Sequence, residues 1–207
     1  MDFKDTLYML PGIIIGFSLH EYAHAQVATW LGDNTPKYQG RLTTNPFVHI
    51  DIIGFLMMII AGFGWAKPVE INPNNFKNKR RDDLLVSIAG PLMNLAIAFG
   101  FLILMKILSN VHESILNETT YEIIMDLLDN AVWMNVVIFV FNLLPIPPLD
   151  GFHIFSDIIG LRDKAIYDSI YSKGRFLLLA LVITNVFDKI IGPPIRLIYN
   201  FLAGLFF

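Results

Sequence analysis

Apolar residues run almost unbroken over residues 7–31, 84–108, 131–144 and 176–191, with a shorter run at 52–65, and polar stretches separate them. The first two runs are long enough, as helices, to span about 30 Å of hydrocarbon. The run at 52–65 is short and is interrupted by Gly54, Gly62 and Gly64, so it predicts a segment that re-enters the membrane instead of crossing it. Gly32-Asp33-Asn34-Thr35-Pro36 ends the first run with turn chemistry, and the polar residues 37–50, with Tyr38, Arg41, Leu42, Thr43 and Thr44, predict short extended pieces at the membrane surface. After the third run comes the break Pro145-Ile146-Pro147-Pro148-Leu149-Asp150-Gly151, then a short amphipathic piece to Gly160. Gly192-Pro193-Pro194 is expected to break the fourth run before an apolar tail to Phe207. The pattern predicts an α-helical integral membrane protein with about four to six membrane segments, folded as a single domain over residues 1–207.

Charge sorts these segments by side. Lys67, Lys77, Lys79, Arg80 and Arg81 fill one connection, and Arg162, Lys164, Lys173 and Arg175 another, whereas residues 109–130 carry Glu113, Glu118, Glu122, Asp126 and Asp129 and no lysine or arginine. If 52–65 re-enters, both basic connections share one face, which the positive-inside bias makes cytoplasmic, and the acidic one lies opposite. A crossing at 52–65 would instead separate Asp150 in depth from the histidines of the first run.

Composition agrees with a membrane chain: 55% hydrophobic and 16% charged residues, with a mean hydropathy of +0.56. The net charge of -3 gives no basis for nucleic-acid binding. Without cysteine, thiolate metal sites, disulfides and a cysteine nucleophile are excluded, so any metal site must use histidine and carboxylate. Met1-Asp2-Phe3-Lys4-Asp5 lacks the basic start of a signal peptide, and the first run is expected to be retained.

Chemistry concentrates in the first run, at His20-Glu21-Tyr22-Ala23-His24. Two histidines four residues apart lie about one helical turn from each other on one face, where their ring nitrogens can converge on one zinc ion. Glu21, on the adjoining face, can take a proton from water activated there. This is the H-E-x-x-H arrangement of metallopeptidases. Ionisable groups inside an apolar run are costly and mark function. Zinc needs a third protein ligand, and the candidates are Asp150, Asp51, His49, His153 and Glu70. Asp150 stands out because it follows a proline-rich break at a membrane helix end, although an aspartate before glycine can equally cap a helix. His49 and Asp51 can also act as groups that support a ligand. His112, in the acidic connection, is expected to be solvated. Asn94 and Asn142 are amides in apolar runs, suited to helix packing or to orienting a ligand or substrate.

Taken together, these pieces resemble a site-2 protease, an intramembrane zinc metalloprotease, over nearly the whole chain. The resemblance rests on the His20 to His24 motif, Gly40-Arg41-Leu42-Thr43-Thr44-Asn45-Pro46, His49-Ile50-Asp51 and Gly64-Trp65-Ala66-Lys67-Pro68-Val69. Further on it rests on Asn72-Pro73-Asn74-Asn75-Phe76, Ala89-Gly90-Pro91-Leu92-Met93-Asn94, and Phe141-Asn142-Leu143-Leu144-Pro145 through Leu149-Asp150-Gly151. It implies that His20, His24 and Asp150 are the zinc ligands, that Glu21 is the general base and that Asn94 assists near the substrate carbonyl. It also implies a re-entrant loop and a small membrane-associated β-sheet after the first helix, with an edge able to pair with an extended substrate. Ile52 and Thr44 depart from the usual proline and leucine, and no PDZ module is present, so a minimal form is expected.

The implied activity is hydrolysis of transmembrane or membrane-anchored protein substrates in a prokaryotic inner membrane, with the site toward the cytoplasmic side. Two other classes fit the histidine pair: a membrane metal transporter and a non-catalytic scaffold that binds transmembrane helices. Transport predicts a path lined by carboxylates, which the later runs lack. A scaffold has no use for Glu21 beside its metal. Neither substrate identity nor oligomeric state is written in the sequence.

Overall fold

The computed structural model describes residues 3–61, 64–162, 164–184 and 186–207. In chain order its helices are α1 (Phe3–Trp30), the one-turn α2 (Thr35–Tyr38) and α3 (Pro46–His49), α4 (Ile52–Ala61), α5 (Lys79–Ile115), α6 (Glu118–Asn142), α7 (Asp150–Ile159), α8 (Ile166–Ile183) and α9 (Val186–Ala203), with a 3-10 turn at Pro73–Asn75. The fold is mostly helical. Among the described residues two helices, over Lys79–Asn110 and Glu118–Asn142, are long and apolar enough to cross a membrane. α1 is also long, about 42 Å at 1.5 Å per residue, but His20, Glu21 and His24 interrupt its apolar character.

α1, α5 and α6 pack against one another, and small residues set how closely. A Cβ on Gly12 would stand 3.0 Å from that of Ala131, and one on Gly16 would stand 2.8 Å from Asn135 Oδ1. Ala25, Ala28 and Ala98 are fully buried. Such close packing and buried amides are how apolar helices hold together where leucine gains little by leaving hydrocarbon. On the far side of α6, Leu102, Leu128, Val132, Val136, Ile191 and Ile195 belong to one core that joins α5, α6 and α9.

Several expected boundaries move. The acidic stretch is largely helical: Asn117 caps α6, accepting from the Thr120 N–H at 2.9 Å, and no glycine or proline interrupts residues 118–130. The last apolar region breaks near Thr184, whose backbone is extended, and not at Gly192-Pro193-Pro194. Both prolines lie inside α9, which continues through them because Ile191, Ile195 and Leu202 stay buried in the core. The side chain of His112 and all of Gly62 lie outside the described residues.

The expected small sheet is reduced, among the described residues, to one antiparallel bridge between Ile50 and Ala66, with the Lys67 N–H donating to His49 O at 2.8 Å. The reason lies in the chain: Arg41 occupies the carbonyls of Val48 and Lys67, and Pro46, Pro68 and Pro73 have no N–H to give. What the bridge does is return the chain to its starting point. α4 leaves after Ile50, and the segment from Gly64 comes back against the first turn of the same helix. A Cβ on Gly54 would collide with the Trp65 carbonyl, and one on Gly64 with the Gly54 carbonyl. At ten residues, about 15 Å, α4 is half the length of a crossing.

Candidate metal centre

The centre forms where α1, α5 and α7 meet. His20 Nε2 and His24 Nε2 are 3.0 Å apart, and Asp150 Oδ2 lies 3.1 Å from the first and 3.3 Å from the second. Both histidines are buried. Asp150 gets there because the loop after α6 doubles back tightly: a Cβ on Gly151 would collide with the carbonyl of Leu143. The helix cap of α7 is Leu149, so the Asp150 carboxylate is not spent on capping. Its place in the first turn still puts a negative charge at a favourable helix end.

Hydrogen bonds decide which imidazole nitrogens carry protons. His24 Nδ1 donates to the Val86 carbonyl at 2.7 Å. Pro91 lacks the N–H that the Ser87 carbonyl would accept, which loosens this turn of α5. His20 Nδ1 lies 2.6 Å from Asn94 Oδ1, while the Asn94 amide nitrogen donates to Gly16 O at 3.1 Å and to Asn135 Oδ1 at 3.0 Å. Asn135 in turn donates to Gly12 O and Ala131 O. With every hydrogen of the two amides spent, Asn94 Oδ1 must accept, so His20 is protonated on Nδ1. Both Nε2 lone pairs therefore face each other and a carboxylate oxygen that is buried without a hydrogen-bond partner.

Three converging lone pairs repel unless a cation sits among them. Ligand atoms 2.0–2.1 Å from a tetrahedral zinc lie about 3.3 Å from each other, close to the spacing found here. A Cβ on Gly90 would stand 2.6 Å from His20 Nε2 and collide with His24 Nε2, so only glycine leaves this volume open. The donor set, two nitrogens and one oxygen with no sulfur, suits zinc in a catalytic site that keeps a fourth position for water.

Glu21 is buried beside this group and accepts the Val69 N–H at 2.7 Å through Oε2. Val69 belongs to the segment that returns from α4, so the returning chain aligns the carboxylate. The remaining candidates are engaged elsewhere. Asp51 accepts the Gly54 N–H at 2.8 Å, Glu70 accepts from Gln39 at 2.6 Å, and His153 pairs with the Tyr167 hydroxyl at 3.0 Å. Asn142 donates within its own helix to Ile138 O. Fully buried His49 donates from Nε2 to Thr43 O at 2.7 Å. Burial is the main reason its imidazole is held below its ordinary range, with the Arg41 guanidinium adding to the effect.

Three further residues shape the site without having been singled out by spacing. Asn135 backs Asn94 and is another amide in an apolar run. Arg41 is buried and ties α3 at Val48 to the returning segment at Lys67. Asp33 is fully buried and accepts from the Thr35 N–H and hydroxyl, the Asn72 N–H and the Asn75 amide, pinning the end of α1 to residues 72–75. Burial pushes the Asp33 carboxyl up, but these hydrogen bonds outweigh it and hold the group below its ordinary range.

The model of peptidase family M50 matches residues 8–183, which include the histidine pair and Asp150. The chain belongs to peptidase family M50. This is the site-2 protease family. Among its relatives, the Bacillus subtilis (strain 168) protein named "Putative zinc metalloprotease YwhC" is 39% identical over 194 residues, covering 91% of this chain and 86% of that protein. The Mycobacterium tuberculosis "Putative zinc metalloprotease Rip2" is 31% identical over 151 residues, 70% of this chain and 54% of the relative. The Methanocaldococcus jannaschii "Putative zinc metalloprotease MJ0611" is 29% identical over 152 residues, 72% of this chain and 71% of the relative. No solved structure gives a significant match. As a member of M50, the chain is a metalloprotease whose cofactor is zinc.

Proposed function

We propose that this M50 peptidase is an intramembrane zinc metalloprotease that hydrolyses peptide bonds of transmembrane or membrane-anchored proteins. The observation that carries this is the convergence of His20 Nε2, His24 Nε2 and Asp150 Oδ2 inside a helical bundle whose α5 and α6 are long and apolar enough to cross a membrane. These three residues hold the ion, which lowers the pKa of water and polarises a carbonyl when bound. Glu21 is the general base: it takes the proton of the attacking water and hands it to the leaving amine. The Val69 N–H fixes the carboxylate for both transfers. Asn94 is a positioning residue that acts through His20, because each of its polar groups is already engaged within the protein.

In the bilayer, α1, α5 and α6 each cross, with α8 and α9 adding to the helical set, and α4 is re-entrant. That the chain from Ile50 returns to Ala66 supports re-entry. The basic residues around Lys77 to Arg81 and Arg162 to Lys173 then share the cytoplasmic face with the metal centre. Relatives in two bacteria and an archaeon support a prokaryotic cell membrane. A transmembrane helix hides its amides in internal hydrogen bonds, so a substrate must unwind locally before Glu21 and the ion can act on it.

The test is zinc quantification and cleavage of a synthetic transmembrane peptide by the purified chain and by Glu21→Ala. Bound zinc in both, with cleavage only by the unaltered chain, is the expected result. Zinc flux into sealed vesicles without any peptide cleavage would overturn the proposal in favour of transport.

A further inference from the structure

A narrow pocket lies between α1 and the re-entrant α4, lined among others by Ile13, Phe17, His49, Phe55, Met58 and Trp65; its empty space is about 290 Å³ with the open solvent at its mouth included, and the enclosed part is small. The lining is apolar and aromatic apart from His49. That residue is fully buried, and with its Nε2–H given to Thr43 O its Nδ1 is an acceptor with no partner. Leaving an acceptor orphaned in an apolar wall is costly, which is why buried polar atoms are normally paired. Holding the imidazole below its ordinary range keeps Nδ1 a lone pair and not an N–H.

The α1 wall of the pocket leads toward the chemistry. Ile13, Phe17, His20 and His24 recur at spacings of four, three and four and so form one stripe along α1. Phe17 precedes the first ligand by about 4.5 Å along the helix axis. On the opposite wall, the segment that begins at Trp65 reaches Glu21 through the Val69 N–H. An occupant of the pocket therefore shares the α1 stripe with the two histidines, close in sequence to the bond being cut.

We infer that this pocket is a substrate subsite: it takes one apolar side chain of the unwound membrane peptide while His49 Nδ1 accepts a main-chain N–H of the same segment. The inference rests on the protease reading above and adds the residue class selected. A lipid chain fills an apolar pocket equally well but offers no donor. An unwound helix carries amide N–H groups that have lost their partners and need acceptors in a medium without water. His49 is a positioning and specificity residue here and takes no part in proton transfer.

The test uses synthetic transmembrane peptides with a Gly-Pro break, presented in liposomes to the zinc-loaded chain, with Ala, Leu or Trp and single N-methyl amides placed around the cleaved bond. One position is expected to accept Leu and reject Trp, and one N-methylation to lower kcat/KM about fivefold to tenfold, the worth of one hydrogen bond. In His49→Gln the amide nitrogen can still donate to Thr43 O, while the acceptor at the Nδ1 position is gone. The N-methyl penalty should vanish in that variant. Met58→Trp fills the pocket and should lower the preference for the Leu peptide over the Ala peptide about tenfold. Independently of turnover, a diazirine leucine at the selective position should crosslink the Glu21→Gln protein at Phe55, Met58 or Trp65. An equal N-methyl penalty in His49→Gln, or an N-methyl series with no sensitive position, as expected if water holds Nδ1, overturns the inference. Crosslinks confined to α8 or α9 do the same. If His49→Gln fails to fold, the Met58→Trp and crosslinking arms still decide. Failure of the unaltered chain to cut any peptide overturns the protease reading itself, and is distinct from cleavage with unselective preferences.

Discussion

Asn94 accepts a 2.6 Å hydrogen bond from His20 Nδ1 while giving both of its own amide hydrogens away, to Gly16 on α1 and Asn135 on α6. One side chain thereby links the three central helices and fixes a proton on the outer nitrogen of an imidazole. The inner nitrogen, Nε2, is left with its lone pair aimed at His24 and Asp150. Helix packing and ligand orientation, two roles that an amide in an apolar helix can play, are here the same set of hydrogen bonds.

Asn94→Ala should weaken zinc binding about 10- to 100-fold, the usual cost of removing a group that orients a ligating histidine. Competition against a chelator measures it. Asn135→Ala should weaken it less, because His20 keeps Asn94 as its partner and only one Asn94 hydrogen is left unpaired. Lost cleavage with unchanged zinc affinity in Asn94→Ala would instead mean that the amide serves the substrate carbonyl directly.

Gly90→Ala tests the space the ion needs. The added methyl would sit 2.6 Å from both Cε1 and Nε2 of His20, in a place hemmed in by α1. Overpacking of this kind costs about 1–3 kcal/mol. Reduced zinc stoichiometry together with a lowered Tm is the expected outcome. Normal zinc content would show that the rings can move aside.

How far the sequence carried these conclusions differs from residue to residue. His20 and His24 were legible because a helical period converts spacing into geometry without further information. Asp150 stood out among five candidates for its proline-rich setting, but spacing alone did not decide it, since its distance from α1 depends on how the Pro145 to Leu149 loop turns back. That the 52–65 segment is too short to cross, and turns back on itself, was legible from its length and its glycines; the Ile50–Ala66 bridge and the Gly54–Trp65 approach show the return. The sheet was not, because whether extended pieces pair depends on Arg41, whose guanidinium takes the carbonyls that strands would share. Asn135 and Asp33 were missed for a related reason. A lone amide or a turn aspartate looks ordinary until the partner brought to it by the fold is known.

Glu21→Gln separates the proposed base from the proposed ligands. The amide keeps the shape of the carboxylate and can still accept the Val69 N–H, but it cannot hold a proton between attack and departure. A fall in kcat of about 10²- to 10⁴-fold at unchanged zinc content is expected, in line with the usual worth of a general base. Zinc content and peptide turnover measured on one preparation check both halves. A variant that lost zinc as well would show that Glu21 supports the ligand set.

Asp33 gives the loop around the site a pH dependence whose sign follows from its hydrogen bonds. Its carboxyl is held below the ordinary 3.8 in the folded protein, so the folded state favours the ionised form. The resulting stabilisation is fully present above that ordinary value and is lost as pH falls through the lower folded value. The Asn72 N–H, which donates to Asp33 Oδ2 at 2.8 Å, is the local reporter. Its hydrogen-exchange protection should hold constant from pH 7 to pH 5 and collapse only below the ordinary carboxyl value. In Asp33→Asn that amide should exchange fast throughout, because the neutral side chain accepts fewer of the four hydrogen bonds. Protection in the variant equal to that of the unaltered chain would mean that Pro36, Phe76 and their neighbours hold the loop by packing, with the carboxylate adding nothing.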